Sequence, residues 1–431
     1  MQRRYEGLVN THLLAGQALV AGIHATDAAL SFAATLGAHR FLNNRRVSLR
    51  ALSRPLLEAG RREAVTACDR YLLVAHDWSF LSYGEHASKR DRIERSRHKP
   101  EGYQLQTALL LSDRDGTPLA PGALSLHAAD GVHCSRSAKV RLPQANLEQL
   151  KPTMAYLERQ QLGRPLVHIV DAEADSVAHY REWSETPGCY FLVRADDRLV
   201  QQAEVEQRCS ALVQQGHQQG TFTRVSQVSY HGKPAEQWLL EFDVFLTRRG
   251  QRRRREPGIL GESHHWIPGA PLPLRLILAE VRNAQGEVLA TWYLLTNLPK
   301  EVDTATVALW YYWRWSIETY FKLLKSAGMQ IEAWQQETAA AIARRLLIAS
   351  MACVTVWRLA RSIEPAAEPV RKLLVGLSGR QMKYGRPFTT PALLAGMGVL
   401  LVILETLERY SVEELKQLAR TVHPHLEHPP P

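Results

Sequence analysis

Two short apolar runs, each closed by an aspartate, constrain this chain more than any other feature. They are Tyr71-Leu72-Leu73-Val74-Ala75-His76-Asp77 and Leu166-Val167-His168-Ile169-Val170-Asp171. Each has the length and apolar content of a buried strand. A central sheet can set the residues that end such strands side by side at its edge. Two carboxylates placed that way suit hard, oxygen-liganded cations about 4 Å apart, the arrangement of two-metal phosphoryl transfer. Taken singly, an aspartate at a strand end also follows from its preference for turns.

The rest of the chain supports an α/β reading. Residues 1–65 read as a helical N-terminal region, with Ala and Leu at helical spacing from Leu13 to Leu36 and a second helix from Ser48 to Val65. Between them Gly37 to Arg46 is basic and turn-like, either lying on DNA or forming an exposed loop. Strands are expected at Leu105–Leu111 and Ala123–His127, joined by the turn-forming Asp113-Arg114-Asp115-Gly116. A polar loop over Tyr83–Lys99, an amphipathic helix over 146–161, a helix through His179–Trp183 and a strand at Cys189–Arg194 complete this part. Roughly 198–300 is expected to be mainly strands and includes the basic run Arg248 to Arg255. A long helix is predicted from about Asp303 to Ser326, and the remainder to Val422 reads as helical. The tail with His423, His425 and His428 could bind metal adventitiously. No internal repeat is visible.

Composition narrows the partners. At 431 residues the chain has room for two or three domains and a large core. A net charge of +10 and a pI of about 9.4 favour a polyanionic partner, because cations beside phosphates release condensed counterions. The five cysteines are scattered and contain no C-x-x-C pair, so they show neither a disulfide framework nor zinc-site spacing, and a reducing cytoplasm fits. The N-terminus lacks the apolar segment of a secretory signal. Leu393–Leu404 is too short to span a bilayer and reads as a buried helix.

The predicted helix after the strand-rich stretch carries a third acid. Tyr311, Arg314, Glu318 and Lys325 fall within about 60° of one another on an ideal helix, one acid with two bases and a phenol. A solvated face with ion pairs is the plain alternative. The spacing Tyr311-x2-Arg314-x3-Glu318-x6-Lys325 resembles the Y-R-E-K signature of bacterial DDE transposases of the insertion-sequence-four family, the group containing the transposon-five enzyme. In the same order, Asp77-Trp78-Ser79-Phe80-Leu81-Ser82-Tyr83 is similar to the segment of the family's first aspartate, and Asp171-Ala172-Glu173-Ala174-Asp175 to its second-aspartate box. Tyr190 to Arg194, Trp292 to Thr296 and Gly37 to Asn44 resemble further family segments.

That resemblance implies a ribonuclease-H-like mixed-sheet core over 66–345 with a β-rich insertion at about 198–300, a helical DNA-binding region over 1–65, and a helical 346–431 for dimerisation. It implies Asp77, Asp171 and Glu318 as ligands of two Mg²⁺ ions, with Mn²⁺ as substitute. Tyr311, Arg314, Lys325 and Arg194 would hold phosphates, Trp292 would stack on an extruded base, and Arg40 would contact DNA. The implied partners are double-stranded DNA, as terminal inverted repeats and target, and a second copy of the chain bound to it. The implied location is the bacterial cytoplasm at the nucleoid, without a membrane. The implied reaction is end cleavage through a hairpin followed by strand transfer. Ala172, where the family usually has Arg, and Trp78, where it has a small residue, depart from the pattern, and the N-terminus resembles the interior of a longer family segment. A DNA-binding regulator derived from such an enzyme, or a nuclease without strand transfer, would share these residues.

Overall fold

The computed structural model describes residues 28–94, 101–137, 139–141, 146–230, 232–248, 250–255, 262–267 and 269–422, with Gln2, Tyr5, Glu6, Leu8 and Val9. Most of the expected Leu13–Leu36 helix, the side chains of the basic run after Arg248, and the histidine tail lie outside the described residues. The chain forms two compact units. One comprises Ser53–Phe80 and Gln104–Thr319; the other comprises Met1–Leu52, Leu81–Tyr103 and Tyr320–Pro431.

The first unit is built on a mixed sheet. Its strands are β1 (Leu72–Ser82, in this unit to Phe80), β3 (Glu101–Ser112, in this unit from Gln104), β4 (Pro118–Ala128), β5 (Gly131–Cys134), β6 (Leu166–Val170), β7 (Tyr190–Ala195), β8 (Leu199–Gln202), β9 (Val205–Arg208), β10 (Thr223–Tyr230), β11 (Lys233–Leu246), β14 (Leu272–Arg282) and β15 (Val288–Thr296), while the short β2 (Ile93–Glu94) belongs to the other unit. A separate ribbon pairs β12 (Gly250–Arg255) with β13 (Glu262–Ile267). The main order is β5-β4-β3-β1-β6-β7-β15-β14-β11-β8-β9. The β1–β6 and β6–β7 pairs are parallel, as expected for strands buried on both faces and joined by helical crossovers. This order about β1, with helices Leu150–Glu158 and Val177–Ser184 in the same unit, is the expected α/β, ribonuclease-H-like arrangement. Apart from the β12–β13 ribbon, the described strands of the strand-rich stretch join the main sheet. Thr296 pairs with Leu192 and Tyr293 with Ala195, so β15, β14 and β11 extend the same sheet beyond β7.

Three expectations are corrected. The apolar run at Asp77 does not end a strand, because β1 continues to Ser82; the parallel partner is what stops, its last pair being Ala75 with Ile169. The long helix over Asp303–Ser326 is two helices, Thr304–Trp313 and Ser316–Leu324. Gly37–Arg46 is not a loop, since the helix Ala28–Asn43 runs through it. Burial of Phe41 and Leu42 keeps it helical, and the turn begins where the Asn44 side chain accepts the Arg46 N–H.

The second unit is mainly helical. Helix Ala339–Arg361 forms its centre, and Arg344 ties it to the Leu42 and Val47 carbonyls. Helices Ala367–Leu377 and Thr390–Leu407 pack closely at Gly396, where a Cβ would lie 1.9 Å from the Leu374 carbonyl oxygen. Both Ala339–Arg361 and Thr390–Leu407 are long and apolar enough to cross a bilayer by length and composition. The first is 83% buried over its apolar window and is a core helix. The second is 28% buried, so the expected fully buried helix leaves Val399, Ile403, Leu404 and Leu407 exposed.

Candidate active site

Asp77 and Asp171 stand 94 residues apart in sequence and meet because β1 and β6 run parallel in register. The last residue pair is Ala75–Ile169, so each aspartate follows its strand's last pairing by two residues, at the same level. Each folds back on the next residue: Asp77 Oδ1 accepts the Trp78 N–H at 2.7 Å, and Asp171 Oδ1 accepts the Ala172 N–H at 2.7 Å. These contacts fix the inner oxygens and leave the outer ones to face a common point.

Arg314 occupies that point. Its Nη1 donates to Asp77 Oδ2 at 2.8 Å and its Nη2 to Asp171 Oδ2 at 2.7 Å. The residue is 3% exposed. Arg194 adds an ion pair, Nε to Asp171 Oδ1 at 2.6 Å, although its N–H is not aligned for a hydrogen bond. The Tyr311 hydroxyl donates to Asp171 Oδ1 at 3.2 Å. Burial alone would raise the Asp171 carboxyl, but Arg314, the Ala172 N–H, Arg194 and Tyr311 outweigh it and hold the group below the usual carboxylate range.

The break between the two helices places these groups. Arg314 closes the first helix, and the N–H groups of Arg314, Trp315, Ile317 and Glu318 bond to carbonyls three residues back rather than four. This tighter winding joins helix Thr304–Trp313 to helix Ser316–Leu324. The β3–β4 turn buttresses it. The Gly116 carbonyl accepts the Ser316 hydroxyl at 2.9 Å, the Asp113 carbonyl accepts Trp310 Nε1 at 3.2 Å, and the Asp113 carboxylate accepts the N–H groups of Asp69, Arg70 and Tyr71 just before β1. Gly116 has φ +68°, and a Cβ there would lie 2.3 Å from the Trp313 ring.

Glu318 lies in the first turn of the second helix and is half-buried. It follows Arg314 by four residues, so its backbone stands roughly 6–8 Å along the chain from the residue that joins the aspartates. Trp292, half-buried on β15, faces Tyr311 with ring centroids 5.8 Å apart. Lys325 and Arg40 belong to the other unit. Lys325 Nζ is 3.7 Å from Glu332, and Arg40 is exposed on its helix. Sequence reasoning passed over Glu173. Burial raises its carboxyl, and the charges of Asp77 and then Asp171 raise it further, against Arg314. The signal was present, since Glu173 lies two residues beyond the second aspartate.

Asp77 and Asp171 offer oxygen donors of the kind a hard divalent cation takes, and a cation bound there would displace Arg314 from their outer oxygens. A mixed sheet that brings two acids together at the end of parallel strands is the layout of the ribonuclease-H-like nucleic-acid enzymes. Residues 69–355, two thirds of the sequence, match the transposase DDE domain, and the chain belongs to that family. No curated relative matches closely enough to add to that assignment. Members of the family act on DNA in transposition and use divalent metals.

Proposed function

We propose that the chain is a cut-and-paste transposase of the insertion-sequence-four type, similar to the transposon-five enzyme, with Asp77, Asp171 and Glu318 as its metal ligands. The observation that carries this reading is the Arg314 bridge, which joins residues remote in sequence into one acidic site beside the Glu318 helix. Mg²⁺, or Mn²⁺ in its place, would supply two ions that lower the charge on the scissile phosphate and ionise the attacking oxygen. The chain's own groups do the rest. The neighbouring N–H groups fix the inner oxygens of the aspartates, and Arg314 holds the outer ones toward a common point. Arg194 and Tyr311 stand beside Asp171, where they can hold a phosphate once it enters. Trp292, against Tyr311, offers a face on which an extruded base could stack during hairpin formation, worth about 1–3 kcal/mol. Lys325 and Arg40 are assigned to DNA, and the active form to a dimer on paired inverted repeats.

The decisive experiment is cleavage of duplex DNA bearing the terminal repeats of the element in Mg²⁺ or Mn²⁺. Asp77→Asn, Asp171→Asn and Glu318→Gln should each abolish nicking while leaving DNA affinity within a few-fold of wild type. Wild-type protein that binds the ends and never nicks them would instead identify a regulator, and nicking without joining a nuclease.

A further inference from the structure

A second group of ligand-type side chains, made of none of the acids above, lies around β6. Glu158 ends the helix Leu150–Glu158, His168 lies in β6, and Cys189 immediately precedes β7. One ligand atom from each lies within 4.8 Å of the other two. His168 Nε2 stands 3.2 Å from Glu158 Oε1. His168 is fully buried, and Cys189 is a free thiol at 4% exposure. Ligands at about 2.0–2.3 Å around a tetrahedral cation lie about 3.3–3.8 Å apart, a separation these three approach.

An independent contact points the same way. His76 Nε2 lies 2.9 Å from His168 Nδ1. A proton on His168 Nδ1, donated to His76, leaves the lone pair of His168 Nε2 facing Glu158 and Cys189. Ligating histidines are held in this way, with the second nitrogen hydrogen-bonded. His76 then carries its own proton on Nδ1, which is buried and has no partner among the described residues.

We propose that Glu158, His168 and Cys189 form a three-ligand site for a borderline-soft divalent cation, Zn²⁺ foremost, with a solvent oxygen as its fourth ligand, clamping the helix Leu150–Glu158 to β6 and β7. Thiolate and imidazole ligands select such an ion over Mg²⁺. Burial pushes the Cys189 thiol to about 12, with Glu158 adding to it, and the Glu158 carboxyl to about 7; it holds His168 neutral, down to about 3. Cation binding therefore displaces the thiol proton, and the carboxyl proton where present, to solvent. The product is one dication with a thiolate, a carboxylate and a neutral imidazole. That set has no net charge, which a buried site tolerates.

The test uses the full untagged chain with His423, His425 and His428 replaced by alanine, so that the tail contributes no binding. After zinc loading and exhaustive dialysis, elemental analysis should find one zinc per chain. Cys189→Ser and Glu158→Gln should each lower retained zinc at least tenfold, while Asp77→Asn retains it. Cobalt substitution should give a near-ultraviolet thiolate charge-transfer band that Cys189→Ser lacks. If Cys189→Ser does not fold by circular dichroism, Glu158→Gln decides, since its side chain is isosteric and 26% exposed in the parent. Zinc content equal in wild type and Glu158→Gln, or no thiolate band in the cobalt protein, overturns the site. Neither result bears on DNA cleavage, so the two assignments fail separately.

Discussion

At the scale of single residues, Arg314 carries the greatest weight. It is buried, it spans two carboxylates, and its removal takes the shared cation from both acids, leaving Asp171 with Arg194. Breaking a buried ion pair from one side costs about 3–5 kcal/mol. A bound divalent cation would restore the missing charge. Arg314→Ala should therefore be strongly destabilised in EDTA and should recover more on adding Mg²⁺ than wild type does, by ligand linkage. Thermal melts with and without Mg²⁺ read this difference; equal Mg²⁺-induced shifts in the two proteins would remove Arg314 from the acidic site. The two aspartates were legible in the sequence because each ends an apolar run that must be buried. The guanidinium between them was not, because on an ideal helix Arg314 shares a stripe with Glu318 and Lys325 and could equally face solvent. Glu158, His168 and Cys189 escaped notice because their ligand atoms come from three elements, without the short spacing that marks a zinc knuckle.

At the scale of elements, the broken helix depends on its supports. A period of 3.6 residues cannot register a run of bonds three residues back, so the sequence pattern implied one helix where two stand. The turn that buttresses the break was legible in Asp113-Arg114-Asp115-Gly116, but its contact with Trp313 was not. Gly116→Ala should destabilise the fold by about 1 kcal/mol or more from backbone strain, and further from the ring contact. It should also lower cleavage by moving Arg314, read as a fall in the rate with substrate affinity little changed. The other end of this helix is held by Glu241 on β11, which accepts hydrogen bonds from Arg275, Lys300 and Thr304. Burial would raise its carboxyl, but those three donors hold it at about 2. Its folded value lies below the unfolded one of 4.5, so this stabilisation is complete above about pH 5 and lost as pH falls toward 2. Discounted because the carboxylate is only half-buried, the effect is about 1–2 kcal/mol. Glu241→Gln should lower stability at pH 7 by that amount and flatten the acid limb, measured by urea unfolding from pH 7 to pH 2.

At the scale of the whole molecule, the net charge of +10 is distributed over a chain that binds a polyanion. If six to ten phosphates are contacted, raising salt from 50 to 200 mM should weaken DNA binding by about 10³–10⁵-fold. Fluorescence anisotropy on a labelled duplex measures it, and a nearly flat salt dependence would exclude an extended phosphate interface. The α/β class was readable from the alternation of apolar runs and helical periods. The joining of β15 to β7 was not, since no local pattern tells a strand which neighbour it will take.

That junction has a kinetic consequence. Leu192 must wait for Thr296 to be synthesised before its strand gains a partner on that side, and Asp77 waits still longer for Arg314. Pairings over such distances in the chain fold slowly. A nascent polypeptide would thus leave the ribosome with its acids unassembled, and the capacity to cut DNA would arise only after most of the message had been read.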